Sequence, residues 1–226
     1  MSRAYLAFTE KGMALAHRLA RALPGSVSRC GAGGVRLAEW TSTQFAQADA
    51  LIFVGAVGIA VRAIAPHCKS KATDPAVVVL DECGRFAVPL LSGHLGGANS
   101  LARAISEVCG AQAVVTTATD VNGVFAVDEW ARCQGMSVVD PQHIKLISAK
   151  LLAGGNVKVY CPYSIEGDCP PGVELTEKMP ADVAVSVRKE DAVLSLVPKV
   201  VVLGVGCRRG IGQQAMEEAF AALLAQ

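Results

Sequence analysis

The stretch DALIFVGAVGIAVRAIAPHC, residues 49–68, decides the fold class. Its first seven residues form a near-continuous apolar run of strand length, a glycine turn follows, and from Ile59 the apolar spacing becomes that of a short helix ended near Pro66. A strand without polar alternation is buried on both faces, which calls for a sheet covered by helices on both sides. The same order recurs on either side of it. AYLAFT (4–9) reads as a strand and GMALAHRLARAL (12–23) as the helix after it. AVVVLDECGRFAVPLL (76–91) reads as two extended runs around a turn at Glu82 to Arg85, with Gly84 suited to positive φ. ANSLARAISEVCG (98–110) is helical, with Gly97 or Asn99 capping its start and Gly110 its end. AQAVVTT (111–117) reads as a strand, ATDVNG (118–123) as a polar loop and FAVDEWARCQG (125–135) as a helix.

This alternation predicts an α/β protein with a three-layer α/β/α N-terminal domain on a parallel or mixed sheet, residues 1–135. A small α+β domain is expected over 136–197, where short strands are bounded by Pro162, Pro170, Pro171 and Pro180. Residues 198–226 read as a linker and the first strand–helix unit of a truncated C-terminal domain.

Composition narrows the function classes. Of 226 residues, 52% are hydrophobic and 18% charged, and the net charge is +1, so no broad field favours nucleic acid or an anionic membrane. The mean hydropathy of +0.39 argues against disorder, and the longest apolar runs are broken by glycine and fall short of a membrane span. Eight cysteines, at 30, 68, 83, 109, 133, 161, 169 and 207, form no C-x-x-C pair, which disfavours a zinc site. With no signal-like core in MSRAYLAFTEKG, reduced thiols and a cytoplasmic location are expected.

One device appears three times: GAVG (55–58), SGHLGG (92–97) and GVGCRRG (204–210), each after a strand and before a helix. Glycine lets backbone approach a ligand there, and helix-starting N–H groups favour an anion. In an open α/β sheet such turns gather at the carboxyl ends of the strands, so distant loops can line one crevice, and several helix starts are expected to converge there. None matches the phosphate-binding or dinucleotide-binding glycine patterns, and ordinary tight turns are the competing reading. SGHLGG adds the polar side chains of Ser92, His94 and Asn99 to bare backbone, a mixture suited to a carboxylate or carbonyl, although a structural His94 bonded to backbone would read the same way. Thr116, Thr117 and Asp120 end the next strand and are expected to face the same crevice, or to form a plain turn and cap. Arg62 is placed to reach an anion near GAVG, Arg85 is a further positive side chain near these loops, and Lys69 and Lys71 read as surface charges. Asp74, Asp81, Glu82, Asp120 and Asp128 are the available carboxylates; no spacing among them declares an acid–base pair.

GAVGIAVRAIAP, KATDPAVVVLDECGRFAVPLLSGHLGGANSLARAI and AVVTTATDVNGVFAVDEWA together resemble the N-terminal domain of the cobalt-precorrin 5A hydrolase family, CbiG, of anaerobic cobalamin synthesis. The likeness runs over residues 51–131, and VVVLGVGCRRGIGQQAMEEAF resembles the start of the family's C-terminal, CobE-like domain. The resemblance implies a hydrolase that opens the δ-lactone of a ring-contracted cobalt tetrapyrrole and releases acetaldehyde. The cobalt would arrive inside the substrate, with no cofactor or protein metal site. Further partners would be a second copy of the chain or other cobalamin-pathway enzymes, with no nucleic acid and no membrane. His94 is then the expected general base, Gly96 and Gly97 N–H groups the oxyanion donors, and Ser92 a nucleophile ranked below direct attack by water. Gly55, Gly58, Arg62, Gly93, Asn99, Thr116, Thr117 and Asp120 are the expected substrate-binding residues. A non-catalytic corrinoid-binding module and an unrelated α/β enzyme holding a phosphate-bearing ligand are the alternatives.

Overall fold

The computed structural model describes residues 1–188, 190–200, 206–207 and 210–224. Five of the first sheet's strands are β1 (Arg3–Ala7), β2 (Ser26–Arg29), β3 (Ala50–Val54), β4 (Ala76–Leu80) and β5 (Phe86–Leu91). With the two-residue β6 (Gln112–Ala113) they run in the order β2-β1-β3-β4-β5-β6. β3 and β4 are buried at every residue, as their unbroken apolar runs require.

Alternate residues of these strands feed two separate cores. Tyr5, Ile52, Val54, Val78 and Leu80 pack against Leu15 and Leu19 of α1 (Glu10–Ala22) and Leu101 and Ile105 of α4 (Ala98–Cys109). Leu6, Leu51, Phe53, Val77 and Val79 face the other side. There they meet Trp40 of α2 (Leu37–Gln47) and Ala60 and Ile64 of α3 (Val57–Ile64). Each fully buried Leu, Ile, Val or Phe contributes roughly 1.5–3 kcal/mol, so this period-two partition between the faces holds the three layers together.

β5 determines where the loops go. β1, β2, β3 and β4 are mutually parallel, but β5 returns antiparallel to β4 through the turn at Asp81–Arg85, with Leu80 opposite Ala87 and Val77 opposite Leu91. β6 is parallel to β5. The carboxyl ends of β5 and β6 therefore emerge where β3 and β4 begin.

The second sheet is built from β7 (Met136–Val138), β8 (Val157–Tyr160), β9 (Val173–Thr176), β10 (Ala181–Val185) and β11 (Ala192–Pro198), in the order β7-β11-β10-β8-β9. Only the β7–β11 pairing is antiparallel among these. Its core joins Val157, Val159, Val183, Val185, Leu194 and Leu196 to Ile144, Ile147 and Leu151 of α7 (Ile144–Leu152). Phe125 and the helix α6 (Val127–Cys133), through Val127 and Ala131, belong to this core as well. α6 thus bridges the two sheets. The chain ends in α8 (Gln213–Leu224), while most of the expected strand and glycine loop at 200–210 lies outside the described residues. Among the described residues no helix is long and apolar enough to cross a membrane.

Candidate functional site

The loop between β5 and α4 is shaped by close packing. Ser92 sits at φ 55°, a left-handed conformation unusual for a residue with a Cβ, and its buried Oγ donates to the Asp74 carbonyl at 2.8 Å. At Gly96 a Cβ would lie 2.4 Å from that of Ser92, so only glycine fits. Gly97, at φ 83°, turns the chain into α4.

Three amides at the start of α4 are already used. Gly97 N–H donates to His94 O, Ala98 N–H to Ser92 O and Asn99 N–H to Gly93 O, at 3.0–3.1 Å. Gly97 accordingly has no free N–H for an oxyanion, and Ser92, bonded to a buried carbonyl, is a strut for the loop rather than an exposed nucleophile.

His94 points from this loop at two carboxylates. Its Nε2 is 2.6 Å from Asp120 Oδ2, on the short helix α5 (Ala118–Val121), and its Nδ1 is 3.1 Å from Asp128 Oδ1 on α6. The second contact is an ion pair out of line for a hydrogen bond, leaving Asp128 Oδ1 without a directed donor. Asn99 Nδ2 links Thr117 Oγ1, at 2.9 Å, to Asp120 Oδ2, at 3.0 Å. Arg103 of α4 pairs with Asp120 Oδ1 and lies 3.8 Å from Glu129. Glu129 Oε1 accepts from Ser100 Oγ at 2.9 Å, and Arg132 donates to Ser100 Oγ and to the His94 carbonyl.

Burial alone would make His94 harder to protonate. The facing Asp128 and Asp120 outweigh it and raise its pKa from 6.5 to about 9. Burial would likewise raise Asp120, but His94 and Arg103 hold its carboxyl below the ordinary carboxylate value. At neutral pH His94 is an imidazolium with no lone pair for a proton, which removes the physical basis for the general-base role expected from the sequence. Three cations (His94, Arg103, Arg132) balance three carboxylates (Asp120, Asp128, Glu129).

His94, Asp120 and Glu129 could each offer a metal ion one ligand atom within 4.8 Å of the others. Yet Arg103 occupies Asp120 and lies beside Glu129, so the donor set fits a self-neutralised ion network better than a metal centre.

Asp120 and Glu129 line an open cavity of about 430 Å³ together with Val124, Phe125 and Trp130, and Glu166, Pro170 and Pro171 also line it. The Gln134 side chain fixes the Glu166 backbone there, donating to Glu166 O at 2.8 Å and accepting from Glu166 N–H at 2.9 Å.

Of the residues singled out in the sequence, the structure gathers Ser92, Gly93, His94, Gly96, Gly97, Asn99, Thr117 and Asp120. Thr116 is exposed beside them. The expected convergence of the GAVG and SGHLGG turns on one crevice fails. Gly55 and Gly58 follow β3 at the opposite end of the sheet, with Gly55 offset by about 13 Å along the strand direction at 3.3 Å per residue, because β5 runs the other way. Arg62 turns its guanidinium onto the Gly58 carbonyl of its own helix, at 3.2 Å. Sequence reasoning missed Ser100, Arg103, Glu129 and Arg132. Their signal was polar residues at helical spacing, 100/103 and 129/132, on helices that otherwise bury apolar faces.

Fold and site together define a two-sheet α/β protein whose sheets are joined by a partly buried ion cluster beside an apolar-walled cavity. Residues 39–120 match the family model described as cobalamin synthesis G N-terminal. The chain is 36% identical to the cobalt-precorrin-5A hydrolase of Salmonella typhimurium, over 92% of this chain and 66% of that protein. It is 30% identical to the cobalt-precorrin-5A hydrolase of Priestia megaterium, over 78% of this chain and 53% of that one. The chain belongs to the CbiG family, and it spans between half and two thirds of the length of these curated relatives. The crystal structure of a cobalamin biosynthesis protein G homolog from Sulfolobus solfataricus shares the fold, with TM-score 0.56 and 20% identity, over 99% of this chain and 69% of the homolog.

Proposed function

We propose that this protein is a hydrolase of cobalamin biosynthesis that opens the δ-lactone of cobalt-precorrin 5A with loss of acetaldehyde, giving cobalt-precorrin 5B. In this reading it acts in the cytoplasm, takes a corrinoid small molecule as its partner, and needs no cofactor, the cobalt being part of the substrate. The observation that carries the reading is the 36% identity to a cobalt-precorrin-5A hydrolase across 92% of the chain.

The geometry supports an assignment of roles. The cavity beside the ion cluster admits one edge of a flat macrocycle against Phe125 and Trp130, with the lactone toward Asp120 and Glu129. Asp120 is a poor base, since one of its oxygens already accepts from His94 and Asn99 and the other from Arg103. Glu129 is the better one. Its Oε1 is held by Ser100, and Oε2 makes no hydrogen bond among the described residues. Glu129 takes a proton from water as the water oxygen bonds to the acyl carbon, Arg103 faces the developing oxyanion, and the ring C–O bond breaks as the proton passes to the departing alkoxide. His94 is a positioning residue in this scheme, holding Asp120, and through it Arg103, in place.

Incubation with cobalt-precorrin 5A and detection of acetaldehyde tests the reading, with Glu129→Gln expected to slow release about 10²-fold or more. A non-catalytic corrinoid-binding module is the second reading, favoured by the engagement of both His94 ring nitrogens. Tight substrate binding without acetaldehyde would select it. Stabilisation by nucleotides in thermal melts, and not by corrinoids, would overturn both.

A further inference from the structure

A second cavity, of about 280 Å³, opens where the two sheets meet. Its lining combines Ala72 and Leu95 from loops of the first sheet with Arg132, Gly135, Ser137, Val138 and Lys199 from α6, β7 and the segment after β11. Among the described residues no carboxylate lines it, and two cations, Arg132 and Lys199, do. Arg132 is already oriented, because Nε donates to the His94 carbonyl at 3.2 Å and one terminal nitrogen, Nη2, to Ser100 Oγ at 2.7 Å. The other terminal nitrogen, Nη1, makes no hydrogen bond among the described residues. Glu129 offsets the Arg132 charge from 3.8 Å and is shared with Arg103, so it makes no hydrogen bond to the guanidinium and leaves Nη1 as a donor.

We infer that this junction is an oxyanion-binding site, with the fixed Arg132 guanidinium and the exposed ammonium of Lys199 as its two cations and the Ser137 hydroxyl as a further donor. A planar guanidinium held by packing loses little freedom when it binds a carboxylate or phosphate, and the exposed Lys199 supplies attraction at the rim. The volume admits a single charged arm and excludes a macrocycle. Assigning that arm to a carboxylate of the substrate rests on the function proposed above; the site itself rests on the geometry. Occupancy would neutralise Arg132 beside the His94 loop, linking anion binding to the neighbouring ion cluster.

Uroporphyrin, which carries acetate and propionate arms on every pyrrole, is a suitable probe, with its methyl ester as the uncharged control and tryptophan quenching as the readout. Lys199→Gln is the variant of choice, since Lys199 is exposed and Arg132 also braces the His94 loop. The expected result is uroporphyrin binding that weakens with added KCl and about tenfold on Lys199→Gln, with no such dependence for the ester. Equal affinity of the parent chain and Lys199→Gln for uroporphyrin overturns the site. Inorganic phosphate that competes in a Lys199-dependent way supports it and identifies free phosphate as the occupant; failure of phosphate to compete identifies a carboxylate arm. Acetaldehyde assays run in parallel keep the two readings apart. Turnover with unchanged KM in Lys199→Gln removes the substrate arm from the site and spares the hydrolase, whereas Lys199-dependent uroporphyrin binding without turnover keeps the site and removes the hydrolase.

Discussion

Replacing His94 by glutamine is the most informative single perturbation, because the loss it causes must depend on pH in a defined direction. The His94 side chain is 10% exposed, and its pKa is raised from 6.5 to about 9 by Asp128 and Asp120 against the opposing effect of burial. At about 1.4 kcal/mol per pH unit, protonation of this imidazole favours the folded state by about 3 kcal/mol. A folded pKa above the unfolded one places the whole stabilisation below about pH 6.5, and it drains away as pH rises toward about 9. Urea unfolding of the parent chain and His94→Gln, followed by tryptophan fluorescence, should therefore show a stability gap that is widest in mild acid and shrinks by about 3 kcal/mol by alkaline pH. A gap that stays level over that interval, or a His94 imidazole resonance titrating near its free value, refutes the two-carboxylate account.

Other outcomes follow from the same geometry. Asp120→Asn leaves His94 and Arg103 short of a counter-charge and should lower unfolding stability by about 3 kcal/mol or more, measured by chemical denaturation. Ser92→Ala removes one buried hydrogen bond, costing about 1 kcal/mol in the same measurement, while acetaldehyde release continues and mass spectrometry detects no acyl-enzyme in the parent chain. Gly96→Ala drives a Cβ into Ser92, so the melting temperature should drop by several degrees, corresponding to about 1–3 kcal/mol of overpacking. Arg62→Ala, at the far end of the first sheet, should leave both acetaldehyde release and uroporphyrin affinity at parental values.

Much of the first sheet was legible because its signals are short-range. The apolar runs 50–54 and 76–80 are strands buried at every residue, and Gly97 and Gly110 flank α4 as read. β2 and α2 passed unnoticed. β2 is the four-residue SVSR at an edge, half exposed, and α2 buries only Trp40 and Thr41, so neither carries a strong apolar period. The strand expected over 111–117 shrinks to Gln112–Ala113, since the chain leaves the sheet to bring Thr117 to Asn99. Within the site, His94 stood out as a histidine among glycines. Its partner Asp128 sits in the first turn of α6, and nothing local distinguishes an acid that complements a helix dipole from one that meets a buried imidazole.

Local chemistry alone therefore dictated the alternation of strand, glycine turn and helix, and the set of polar residues in the 92–97 loop, because periodicity and backbone freedom act over a few residues. Tertiary structure decided which turns meet. The antiparallel return of β5 carries the His94 loop away from Gly55 and toward Asp120 and Asp128, and that proximity in turn sets the charge His94 bears. Strand direction and ion pairing across tens of residues depend on contacts that no short window of sequence contains.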